Sequence, residues 1–402
     1  MKQDRKPLAF PEFVTLLALM ISMVAMSIDI ILPALGIIGD DLQVTDPNDT
    51  QLMVSSLFSG FAVGQLLAGP ISDSIGRKPT IYAGYLIFIV GCVLSINATS
   101  LDAMLVGRVL QGLGAAAPRI ITVALVRDSY EGRAMARIMS IIMAIFILVP
   151  AIAPAIGQGL IMFADWHITF YFLMLMAFIG LVWFWLRQPE TLRPEDKRPF
   201  SLSAIFLGIR KICSYRAAVG YTLSAGCVYG AFVGYLSSAR QVFQSTYHLG
   251  TLFALFFGMA ALAIGSASIC NSRLVMRLGM RLLSKRALFC LTIMSGVFLV
   301  PTFLYDGVPP LWLFMVWLLG TFFCIGMLFG NFNALAMEPL GHMAGLGAAL
   351  VGFVTSMLSL PLGWAVGRLY DGTVLPLVGG FAVLGLLSLG LMIWTEQGRE
   401  EA

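Results

Sequence analysis

The chain has 402 residues, of which 59% are hydrophobic and 11% charged, and its net charge is +4. Soluble domains carry about 25% charged residues, so no water-soluble core accounts for this much apolar surface. A polytopic membrane protein is expected, with the lipid bilayer as its solvent and no nucleic-acid partner.

A transmembrane helix needs about 20 apolar residues. Twelve runs of that kind occur, at approximately 13–38, 51–69, 80–98, 101–126, 138–162, 166–186, 217–239, 250–270, 288–304, 310–335, 343–367 and 374–394. The break between the fifth and sixth is short, at Ala164-Asp165-Trp166-His167. The first run is too long for a signal-peptide core and lacks a small-residue cleavage site, so it is expected to remain as the first span.

That first run carries one acid, Asp29, with no other charge between Phe13 and Ile28. An aspartate at a bilayer centre costs about 2.5–3.5 kcal/mol on insertion scales, and such groups face protein or water and have partners. Two readings stay open: a proton- or substrate-binding carboxylate, and a packing ion pair or a group reaching for the headgroups. Arg108 offers a partner. It lies about seven residues, roughly 10 Å, into the fourth run, a depth similar to that of Asp29. Arg119 follows eleven residues later, turned by about 20° and displaced by about 16 Å along a regular helix. Two arginines on one face would favour an anionic or hydrogen-bond-accepting substrate. Pro118 can alter that phase, and snorkelling to the membrane surface is the alternative for Arg119.

Between the second and third runs lies Gly69-Pro70-Ile71-Ser72-Asp73-Ser74-Ile75-Gly76-Arg77-Lys78-Pro79. Its glycines suit a tight turn and close packing. Asp73 is expected to oppose the positive end of a neighbouring helix, and Arg77 to bridge to Asp128 or Glu131 after the fourth run. The fifth run carries Pro150, Pro154 and Gly157, residues that kink a span and let helices approach closely. The longest polar interval, 187–216, reads as a cytoplasmic linker. It divides the chain into six-span halves, 1–186 and 217–402. The second half echoes the first: Arg273 to Arg281 follows the eighth run, and Pro361, Gly363 and Gly367 lie in the eleventh. In the seventh and tenth runs Tyr229 and Asn331 are candidate lining residues, with aromatic packing and polar helix contacts as alternatives.

Most of the 25 Lys and Arg residues fall in the termini and alternate loops. The positive-inside rule then puts both termini in the cytoplasm. The six cysteines have no metal spacing and the three histidines sit at loops or helix ends, so no metal site is expected. No phosphate-binding loop, nucleophile–base set or metal cluster marks an enzyme.

Gly69 to Lys78 resembles the loop 2–3 signature of the major facilitator superfamily. Arg108-Val109-Leu110-Gln111-Gly112-Leu113-Gly114 resembles its fourth-helix motif, and Pro150 to Gly157 its antiporter motif. Ser27 to Pro33, with Val126-Arg127-Asp128, is similar to the Bcr/CflA type of drug:proton antiporters. The resemblance implies an all-α fold of twelve spans in two pseudo-symmetric bundles, with the first and fourth spans bordering a central cavity. It also implies a conformational latch at Gly69, Asp73, Gly76, Arg77 and Asp128. The expected activity is proton-coupled export of drugs or other small organic molecules by alternating access, with Asp29 and Arg108 in proton coupling. Asp29, Arg119, Tyr229 and Asn331 would bind substrate. A carrier of a metabolite or organic anion is the alternative. The proton gradient would replace any cofactor, and the protein would be a monomer in a bacterial inner membrane.

Overall fold

The computed structural model describes residues 8–130, 132–197, 199, 201, 207, 210 and 212–400. Among these residues the elements are helices, with no strand. The first half contains α1 (Phe10–Asp29), α2 (Leu35–Asp41), α3 (Leu52–Ile75), α4 (Arg77–Ile96), α5 (Leu101–Ser129), α6 (Gly132–Phe163) and α7 (His167–Arg187). The second contains α8 (Arg216–Arg240), α9 (Phe253–Leu278), α10 (Met280–Leu304), α11 (Leu311–Met337), α12 (Ala344–Arg368) and α13 (Leu375–Glu400). Twelve spans are long and apolar enough to cross a membrane.

The first span differs from the unbroken helix its composition suggests. It runs over Phe10–Asp41, but α1 ends at Asp29 and a 3-10 turn at Leu32–Ala34 joins it to α2. Pro33 explains the break, because it has no N–H to give the carbonyl four residues back. The interval 69–78 is another correction. It is almost entirely helical, and the connection between α3 and α4 is Gly76 alone, at φ +118°. Only glycine takes that conformation without strain. Gly279, at φ +77°, makes the equivalent one-residue junction between α9 and α10.

Two compact units result. One comprises Met1–Val44 and Ser56–Leu202, the other Thr45–Ser55 and Ser203–Ala402. The second therefore takes eleven residues that the linear division at the linker gives to the first half. Of the linker, much of 198–211 lies outside the described residues. Within the first unit, small residues set the helix spacing. A Cβ at Gly91 would lie 2.7 Å from the Gly107 carbonyl oxygen, and one at Gly114 2.5 Å from that of Gly84, so α4 and α5 touch backbone to backbone. α1 packs against α5, α6 and α7. Within the second unit, α8 packs against α12 and α13, α9 against α11, and α10 against α11 and α13.

Candidate functional site

Asp29 is the last residue of α1 and is 3% exposed. Its neighbourhood is tight, because Gly157 of α6 would place a Cβ 2.0 Å from the Ile30 carbonyl oxygen. Gly157 thus serves close approach beside Asp29. Pro150 and Pro154 lie inside the continuous helix α6, where each removes one backbone donor.

Arg108 is fully buried on α5. Its Nη2 donates to the Ser27 carbonyl at 2.9 Å and its Nη1 to Gln111 Oε1 at 2.6 Å. Gln111 Nε2 in turn donates to Ser95 Oγ at 3.0 Å. The Asp29–Arg108 ion pair expected from their depth does not form, and no hydrogen bond or ion pair of the Asp29 carboxylate occurs among the described residues. The Arg108 guanidinium is engaged instead by the Ser27 carbonyl and by Gln111. That carbonyl is open to it because α1 stops two residues later.

Arg119 is half-buried, and its guanidinium carbon sits 4.4 Å from the centre of the Phe146 ring on α6. Pro118 lies within α5, and its carbonyl accepts from Thr122 Oγ1 at 2.7 Å. The two arginines thus have different surroundings: a hydrogen-bonded polar core for Arg108 and an aromatic face for Arg119.

The basic residue of the α3–α4 junction gathers four helix ends of the first unit. Arg77 Nε binds Asp128 Oδ2 at 2.9 Å. Its Nη1 binds Asp73 Oδ1 at 2.5 Å and Ser72 Oγ at 2.7 Å. Asp73 does not oppose a helix start, as its position suggested. Glu190 does so, accepting from the backbone N–H of Arg77 at 3.1 Å and of Lys78 at 3.0 Å. A carboxylate is stabilised there by the exposed donors and dipole of α4. Asp73 turns to the guanidinium of Arg77 four residues along. Gly76 leaves the room Glu190 needs, since a Cβ would lie 2.7 Å from its Oε2. Gly69 has no comparable constraint: its nearest neighbour would be 4.0 Å away, and it sits inside α3. Glu131, the other acid considered for Arg77, lies outside the described residues.

The second unit repeats this plan with other residues. Arg281, just past the Gly279 junction, binds Glu338 Oε2 at 2.6 Å and lies 3.8 Å from Glu396 Oε1. Tyr221 donates to Glu396. The weak echo at 273–281 therefore carries a charge cluster of its own. Sequence reading missed Glu190, Glu396 and Tyr221, since each joins its cluster from another helix end. The signal that could have found Glu190 and Glu396 is an acid closing the last helix of each half.

Tyr229 on α8 meets the rings of Phe232 at 5.8 Å and Phe329 at 5.3 Å. Asn331 on α11 is buried and exchanges reciprocal amide hydrogen bonds with Asn271 on α9, at 2.9 and 3.0 Å. Asn331 thus makes a polar contact between helices. The candidate residues Asp29, Arg108 and Arg119 belong to one unit, and Tyr229 and Asn331 to the other. Among the described residues no three His, Cys, Asp or Glu side chains are placed to hold a metal ion.

Known proteins resemble the whole chain. It is 30% identical to an MFS-type transporter of Bacillus subtilis, over 96% of both chains. It is 28% identical to a bicyclomycin resistance protein homolog of Haemophilus influenzae, over 94% of both. A D-xylose–proton symporter of known structure shares the fold, with a TM-score of 0.76 over 94% of this chain and 95% of the symporter, at 15% identity. These relatives are transporters, not enzymes. The family model described as Major Facilitator Superfamily matches residues 17–363, so the chain belongs to that superfamily, and it resembles the Bcr/CflA type.

Proposed function

We propose that the protein exports drugs or other small organic molecules in exchange for protons by alternating access. Asp29 would carry the proton. One observation supports this most directly: a carboxylate is shut inside the first unit with no ion-pair partner among the described residues. Keeping such a group charged is expensive, and binding a proton removes the expense. Arg108 would act beside it by fixing the α1 backbone through Ser27. The likeness to a bicyclomycin resistance protein homolog supports drug export. In this reading the protein works as a monomer in a bacterial inner membrane, with both termini in the cytoplasm.

The test uses proteoliposomes carrying an imposed pH gradient and a panel of drugs. Uphill movement of at least one compound, abolished by a protonophore, is expected. Movement that ignores the gradient for every compound would sink proton coupling.

A second reading, a carrier of organic anions, draws on Arg119. Its guanidinium stacks on Phe146 and remains half-buried in the span. A cation–π contact there is worth about 0.5–2 kcal/mol and keeps a positive charge within the span. Arg119→Leu should then weaken binding of anionic compounds by about tenfold, near 1.4 kcal/mol, and leave cationic compounds within about twofold. Equal losses for both classes in a binding assay would remove Arg119 from substrate recognition.

A further inference from the structure

Within the second unit, α10 and α13 meet in a register that two contacts define. Arg281 on α10 lies 3.8 Å from Glu396 on α13. A Cβ at Gly385 on α13 would lie 2.8 Å from Thr292 Oγ1 on α10. The two contacts are eleven residues apart on each helix, so the helices run antiparallel and in step. Each carries an exposed apolar stripe: Phe289, Ile293 and Val297 on α10, and Leu386, Leu387 and Ile393 on α13. On membrane spans such stripes are the surface that meets acyl chains.

The stripe on α10 does not stay apolar. Lys285 and Arg286 are exposed and continue it towards the start of the helix. They stand about 8 Å into the span that begins at Met280. Among the described residues neither side chain has an ion pair or hydrogen bond. Arg281, one turn earlier, has two acids, Glu338 at 2.6 Å and Glu396 at 3.8 Å. Cations on a lipid-facing surface are costly unless an anion or water meets them. Their stems can lie on apolar surface while the charges reach for the headgroups. Trp394 of α13 is exposed at the same end. By the register it lies within roughly 3 Å of the level of Lys285. Arg216, the first residue of α8, holds it in place. The guanidinium carbon is 4.5 Å from the indole centre, and Nη2 donates to the Trp394 carbonyl. Indole rings are favoured at headgroup level.

We propose that these ends of α10 and α13 bind an acidic phospholipid, with Lys285 and Arg286 holding its phosphate, Trp394 beside its glycerol, and its acyl chains lying along the two apolar stripes. Charge complementarity selects the headgroup. A phosphate offers acceptors to both cations, and its geometry suits the fork of Arg286. A zwitterionic headgroup brings a cation of its own, which Lys285 and Arg286 repel. The stripes select a lipid over free phosphate, which has nothing to lay against them. Glu396 does not oppose the anion, because Arg281 and Tyr221 engage its carboxylate. Every residue of the site belongs to the second unit.

The experiment reads bound lipid, not transport, so it gives an answer even if no substrate is found. The full chain is purified in a neutral detergent and offered equal amounts of phosphatidylglycerol and phosphatidylcholine, and retained lipid is counted by native mass spectrometry. A preference for phosphatidylglycerol of about tenfold or more is expected from two basic residues at a membrane surface. Lys285→Gln combined with Arg286→Gln should lower that preference by about tenfold. Arg273→Gln combined with Arg277→Gln removes the same charge from the exposed end of α9. That pair should leave the preference within about twofold, because distant exposed charges are screened. Equal losses in the two double variants overturn the proposal, since the charge then acts diffusely. So does the absence of any preference in the unaltered chain. Glycerol phosphate carries the headgroup without chains and should not displace the lipid at millimolar concentration. Displacement would make this a site for free phosphate and overturn the assignment to a lipid.

Discussion

Replacing Asp29 with asparagine should abolish uphill, gradient-driven export and leave the protein at least as stable as before. The two halves of that expectation come from one geometry. Asn fills nearly the same volume at the end of α1 and has no charge to protonate. If Asp29 is the coupling group, the variant loses the link between proton and substrate movement. Coupling free energies between sites are typically about 1–3 kcal/mol, or roughly 5–150-fold, so accumulation against a gradient should fall by at least about fivefold. Downhill exchange of the same compound should persist. Stability should not suffer, because Asp29 has no ion pair among the described residues and the burden of a buried charge is lifted. Both are measurable on one preparation, by flux in proteoliposomes and by thermal unfolding in detergent. Wild-type uphill export by Asp29→Asn would end the proposed role. A large drop in melting temperature would show that the carboxylate is a structural element instead.

Arg77→Gln should be the most damaging single change at the helix ends of the first unit. The buried guanidinium serves Asp128, Asp73 and Ser72 together. Asp128 is 15% exposed and Asp73 42%, so most of the loss falls on Asp128. A hydrogen bond to a charged group is worth about 1.5–3 kcal/mol, and an expected cost of about 2 kcal/mol follows for the cluster. Asp128 also accepts from Thr191 Oγ1 at 3.1 Å, in the strap that begins the linker. The strap is therefore expected to loosen, and trypsin cleavage at Lys197 to accelerate by about tenfold or more, since cleavage follows the open population. Arg77→Lys should fall between the two, because an ammonium cannot reproduce the forked contact. Glu190→Gln should also speed cleavage by weakening the cap on α4. Unchanged cleavage in Arg77→Gln would show that the strap is held independently of this cluster.

Some of the site was legible in advance. Arg77 was given Asp128 or Glu131 as partner from their place at the ends of neighbouring spans, and the glycines between the second and third spans were given a tight turn. The Asp29–Arg108 pair was misjudged because depth along two helices was used without the angle around them. That angle changes by about 100° per residue, so depth by itself does not decide which side chains meet. The reach of Arg108 to a backbone carbonyl also depends on where α1 stops, and Pro33 fixes that point. For Asn331 both lining and a polar helix contact stayed open, and its partner Asn271 lies 60 positions earlier, beyond any local pattern.

Length, hydropathy and charge placement determined the membrane class, the twelve spans and the division near residue 200, because the cost of apolar or charged groups in each solvent adds up residue by residue along the chain. Tertiary structure alone decided that Glu190 caps α4, that Arg281 gathers Glu338 and Glu396, that Arg108 serves Ser27, and that Thr45–Ser55 joins the second unit. Each of those contacts is directional and short. Each exists only once distant helices have settled to within about 3 Å of one another at a particular rotation.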